Sequence, residues 1–249
     1  MWLVLKANRV GQSEWLKMFK PPFDPYVELM PHESGDQLLI LKSKELDGLT
    51  TLKDTLNAGD GIVRTLNGVA GGVVFAGSSV ELDGAAEMRD GRLIRHMMLR
   101  TETAHFSIGR GSAEFQVIIR DNDGNIVVPT PAPTSAQRRY AASKGSDFLT
   151  HALNYCAGEP GWFDLYKAME CLEQAGFNPR GKGRAEMDRF SRTANWFYRH
   201  HDRRNEQKLP SKPMDLRDAR RLLRSRVNDA LDQLARHTQD DGASARSSP

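Results

Sequence analysis

The segment best equipped for chemistry is Phe190-Ser-Arg-Thr-Ala-Asn-Trp-Phe-Tyr-Arg-His-His-Asp-Arg-Arg204. Arg192, Asn195 and Arg199 recur at spacings of three and four, so on a helix they share one face, with His200 beside it. An imidazole flanked by guanidinium groups has its charged form disfavoured, which suits a general acid or base near neutral pH. The arginines can hold a phosphodiester through paired hydrogen bonds. With His200 as acid/base, Arg192 and Arg199 on phosphate and Glu170 orienting the imidazole, the set would cleave RNA through its 2′-hydroxyl without a metal. The same atoms also serve phosphate binding without catalysis, or complement the carbonyls at a helix C-terminus. For Glu170 an ordinary ion pair with Arg220 or Arg224 is favoured over contact with His200.

Other candidates fall away. Asp121-x-Asp123-Gly124 has no acidic residue at the twelfth position of a calcium loop and reads as a turn. Gly109-Arg-Gly-Ser112 precedes no helix that would supply amides to a phosphate. Cys156 and Cys171 have no CxxC partner and no clustered histidines, so they read as small core residues. No metal and no cofactor is expected.

Gly161-Trp-Phe-Asp-Leu-Tyr-Lys-Ala-Met-Glu170, followed by Phe190-x-x-Thr-Ala-Asn195 and Arg199-His200, resembles a module of uncharacterised bacterial proteins. There a W-x-x-L-Y-K-x-x-E helix precedes an F-x-x-T-A-N…R-H segment, often behind a strand-rich N-terminal domain. The resemblance covers roughly residues 147–234. More distantly, the layout is similar to HEPN domains, four-helix bundles of toxin and antiphage RNases. Their signature is Arg, a polar residue, then His after four to six intervening residues, just before the last helix. Here seven residues separate Arg192 from His200, and Ala194 stands where the Arg belongs if Asn195 is the polar position.

Three functions follow as expectations. The first is a non-catalytic, HEPN-like binding or regulatory protein that uses a basic helical face on RNA or another polyanion. Asn195, Arg203, Arg204, Arg217, Arg220, Arg221 and Arg224 would make the contacts. The second is the metal-independent RNase just described. The third is an interaction module for an acidic protein partner. The resemblance also implies a homodimer, and Trp196 and Phe197 beside Arg199 are residue types favoured at interface centres.

The charge distribution fits a polyanion partner or an ordinary solvated helical surface. Residues 1–133 carry 14 basic and 17 acidic side chains, a net of −3, whereas 134–249 carry 21 and 15, a net of +6. Within 178–226 there are 15 basic and 6 acidic residues, so +9 sits in one stretch. The whole chain of 249 residues is globular in composition, 39% hydrophobic and 27% charged. Two cysteines argue against a disulfide framework. No apolar run approaches the ~20 residues of a membrane span, and the start lacks the pattern of a secretory signal, so a cytoplasmic location is expected.

These residues must be positioned by an α+β chain with a strand-rich N-terminal domain and an antiparallel helical bundle. Trp2–Leu5, Tyr26–Met30, Leu38–Leu41, Val73–Phe75, Leu93–Leu99 and Phe115–Ile119 read as strands, and 120–125 as a hairpin turn. One helix interrupts them, and Gly59 and Gly61 argue that it begins only near Asp60. Pro129, Pro131 and Pro133 mark a linker over 129–140. A four-helix bundle over 141–237 follows from apolar stripes headed by Phe148, Trp162, Met187 and Leu216. The stretch 238–249 lacks large apolar residues and reads as a disordered tail.

Overall fold

The computed structural model describes residues 1–33, 35–71, 79–97, 131–181, 183–198 and 211–244. The expected strands at Val73–Phe75 and Phe115–Ile119 lie outside those residues, as does the hairpin turn at 120–125.

The fold is α+β, with an antiparallel sheet preceding the helices of the second half. Strands β1 (Trp2–Lys6), β2 (Tyr26–Pro31), β3 (Gln37–Lys42), β4 (Glu81–Arg89) and β5 (Arg92–Met97) lie in the order β2-β3-β1-β4-β5. Pairing Leu3 with Leu41 and Leu5 with Leu39 puts these four leucines on one face, because side chains alternate along a strand. They pack into the main core. The opposite face carries a second, smaller buried cluster of Val4, Leu38, Ile40, Ala86 and Leu93.

Helix α1 (Arg9–Met18) and strand β4 are additions to the expected order. In α1 only Gly11, Trp15 and Met18 are buried, too few to draw a clear apolar stripe. In β4 the register shifts opposite Val4 and Leu5, which leaves Asp83 as an extra residue between Leu82 and Gly84.

Helix α2 (Leu52–Ala70) starts eight residues before the expected Asp60. Thr51 caps it, its hydroxyl accepting from the Asp54 amide at 3.1 Å. Gly59 is interior for a packing reason: a Cβ there would stand 2.7 Å from Leu3 Cδ2. On its other side α2 meets α4 (Asp147–Cys156), where a Cβ on Gly68 would stand 2.6 Å from the Leu153 carbonyl oxygen. The helix thus lies as a middle layer between sheet and bundle.

The linker reading is corrected from Ser135 onward, where α3 (Ser135–Ser143) begins. Thr134 and Gln137 form a capping box: the Gln137 amide donates to Thr134 Oγ1 and the Thr134 amide to Gln137 Oε1, each at 3.1 Å. The buried Gln137 also directs Nε2 at the carbonyls of Lys20, Phe23 and Pro25, at 2.7–3.0 Å. Helices α4, α5 (Trp162–Gln174), α6 (Arg184–Tyr198) and α7 (Leu216–Ser244) complete the bundle, so α3 makes it five described helices instead of four. In α4 the buried face is Leu149, Ala152, Leu153 and Cys156, while Phe148 turns outward with 43% exposure. Helix α7 continues to Ser244, into the stretch expected to be a disordered tail; once nucleated, a helix extends at little cost. The main hydrophobic cluster is continuous from Leu3 and Leu41 through Leu66 and Leu153 to Leu223 and Leu231.

Candidate polyanion-binding cleft

Helix α7 is amphipathic. Ala219, Leu223, Val227 and Ala230 are buried against the bundle. Arg217 lies three and four residues before Arg220 and Arg221, and Arg224 lies four and three after them, so they share the face beside it. All four line one cleft of about 670 Å³ together with Arg139 of α3, Gly71 at the end of α2, and Glu159 between α4 and α5.

The four arginines divide into two kinds. Arg224 donates from Nη2 to the Gly158 carbonyl at 2.6 Å and from Nε to the Cys156 carbonyl at 3.3 Å. Arg220 donates from Nε to the Pro160 carbonyl at 2.9 Å, and its Nη1 pairs with the Glu159 carboxylate. These carbonyls end α4 and form the turn after it, where unsatisfied acceptors and the negative end of the helix dipole favour a cation. Arg220 and Arg224 therefore hold the α4–α5 turn against α7. Arg217 and Arg221 stand exposed on the same cleft, one helical turn apart. Among the described residues Arg221 is tethered to Asp218 on its own helix, and the Arg221 side chain is 77% exposed. Arg139 is fixed by a two-point contact with Asp232, both distances 2.7 Å. Those hydrogen bonds hold the Asp232 carboxyl below its ordinary value against the opposing effect of burial.

The expected α6 set is only partly within view. His200, Arg199, Arg203 and Arg204 lie outside the described residues. Arg192 is exposed, with Nε donating to the Asp188 carbonyl at 3.3 Å. Asn195 is half-buried, and its Oδ1 finds no hydrogen-bond partner among the described residues. Glu170 accepts from Lys167 Nζ at 2.7 Å. This replaces the expected pairing with Arg220 or Arg224, whose guanidinium groups reach the α4–α5 turn instead. Helices α5 and α6 are antiparallel: Trp162 stacks on Phe197 with centroids 5.3 Å apart and planes 2° from parallel, while Met169 meets Ser191. Glu170 therefore lies eight residues, about 12 Å, along α5 from the aromatic end of α6. Trp196 packs edge-on against Phe197, so both residues expected at a dimer interface belong to an aromatic cluster within the chain.

Both cysteines are buried, as expected of core residues. Burial pushes the Cys156 thiol up to about 12, which keeps it protonated and a poor nucleophile. No group of His, Cys, Asp and Glu side chains among the described residues has the arrangement to hold a metal ion. No described helix is long and apolar enough to cross a membrane.

Among the cleft residues that the sequence does not point to are Arg139 and Glu159. Arg139 and Glu159 stand 78 and 58 residues before Arg217, and no local pattern connects them to α7. Compared with family models, curated proteins and solved structures, the chain matches none.

Proposed function

We propose that this protein binds RNA as a polyanion in the α7 cleft, without cleaving it, as a binding or regulatory protein. The observation that carries this reading is the pair of exposed guanidinium groups, Arg217 and Arg221, beside two arginines whose positions are fixed by backbone carbonyls. Fixed guanidinium groups meet a phosphate without first losing side-chain freedom, and the exposed pair remains able to follow a flexible strand. The net +9 of residues 178–226 supplies long-range attraction to the same end of the chain.

The test is a titration of single-stranded RNA against salt. Each phosphate contact releases counterions, so affinity falls steeply as salt rises. The variant with both Arg217→Ala and Arg221→Ala is expected to lose roughly tenfold in affinity and to flatten the salt slope by about 2. Its melting temperature should not change, because neither side chain is buried. Wild-type protein that fails to bind RNA at low salt overturns the reading; capture of an acidic peptide in its place would identify the cleft as a protein-docking site.

A further inference from the structure

Within the cleft, one carboxylate is held in an unusual way. Arg224 holds the carbonyl of Gly158 and Arg220 holds the carbonyl of Pro160, so the backbone is fixed on both sides of Glu159. The Glu159 side chain is left 72% exposed, and its carboxylate rests on the guanidinium of Arg220, a side chain only 24% exposed. Other acidic groups nearby have different partners: Asp232 is joined to Arg139, Asp218 to Arg221, and Asp229 to Arg226. Glu159 is the carboxylate that a turn delivers to Arg220 from another part of the chain.

We infer that Glu159 is an internal competitor for the anion position on Arg220, and that it makes the cleft selective for a chain of phosphates over a single one. This rests on the reading of the cleft as an RNA site. A tethered carboxylate acts at an effective concentration in the millimolar range. A lone phosphate must displace it with no other gain. A strand that already engages Arg217 and Arg221 brings its next phosphate to Arg220 as part of the same event, and so overcomes the competitor. Glu159 thereby lowers affinity for every anion while penalising small ones most. It acts through Arg220 and needs no contact with the strand itself.

The experiment compares wild type, Glu159→Gln and Glu14→Gln by fluorescence anisotropy with an oligouridylate of about twelve nucleotides. Inorganic phosphate and uridine monophosphate are added as competitors. Glu14 lies on α1 and lines no part of the cleft, and at physiological salt a distant charge is screened. The amide retains the size of Glu159 at an exposed position, and a circular dichroism melt verifies folding. Glu159→Gln should bind the oligonucleotide about fivefold more tightly, the scale of an exposed ion pair converted to affinity. It should also become displaceable by millimolar monophosphate, while wild type and Glu14→Gln resist. Unchanged or weaker RNA binding by Glu159→Gln overturns the inference, as does equal displacement of wild type by single phosphates. If wild type and Glu159→Gln both fail to bind RNA, the cleft reading itself is removed and the inference with it.

Discussion

Arg139 and Asp232 join α3 to α7 through two parallel hydrogen bonds at 2.7 Å, the geometry in which guanidinium and carboxylate interact best. Because those bonds favour the ionised carboxyl, its value in the folded protein lies below that in the unfolded chain. The sign follows directly: the contribution is complete above the ordinary aspartate range and is lost as pH falls through the depressed value. Asp232→Asn should therefore be less stable than wild type at neutral pH, with the gap between their melting temperatures closing as pH falls below the ordinary aspartate range. A gap independent of pH would mean that the pair contributes by packing alone. The residues that carry this contact also illustrate what is legible one side chain at a time. Arg217, Arg220, Arg221 and Arg224 are read as one face from their spacing, because a helix imposes its period locally. Their division into two exposed groups and two that clamp a turn is invisible at that level. It depends on where the carbonyls of Cys156, Gly158 and Pro160 stand.

At the scale of elements, α2 is the decisive piece. Gly59 and Gly61 argue for a late helix start, yet Gly59, like Gly68, sits inside the helix because the sheet and α4 approach too closely for a side chain. Gly68→Ala places a methyl group 2.6 Å from a backbone oxygen of Leu153, an atom that cannot rotate away. The gain in helix propensity, about 1 kcal/mol, is outweighed by the displacement of α4, so a net loss of about 1–2 kcal/mol is expected in urea unfolding. A stabilised Gly68→Ala would show that α2 and α4 can separate at no cost. Helix α3 carries the opposite lesson. Thr134-x-x-Gln137 is a capping-box pattern present in the sequence, and the prolines before it overshadowed it. Once formed, the helix is tied to the first half by Gln137 and by Tyr140, whose hydroxyl donates to Glu45, with Lys144 on the other Glu45 oxygen at 2.7 Å.

For the whole molecule, the continuous cluster from Leu3 to Leu231 means that sheet, middle helix and bundle share one core. Elements that share a core lose its burial together, so unfolding should be cooperative. Trp15 is buried in α1 against Phe19, and Trp162 is stacked in α5 against Phe197. Single-tryptophan variants reporting from these two positions should give coincident denaturation midpoints. Separate transitions would mean that the sheet and the bundle fold as independent units.

The sequence by itself determined most of the local order. Alternating leucines marked β1 and β3, three-and-four spacing marked α5, α6 and α7, and charge counting placed the basic excess in the second half. Each of these follows from a period or a sum that operates over neighbouring residues. The tertiary structure alone decided which distant groups meet. It brought Glu159 to Arg220 and Asp232 to Arg139, gave Glu170 to Lys167, and turned Phe148 outward while Leu153 faced the core. The reason is physical: a guanidinium or a carboxylate has many acceptable partners of opposite charge, and only the packing of α2 against α4, and of α7 across both α4 and α5, selects among them.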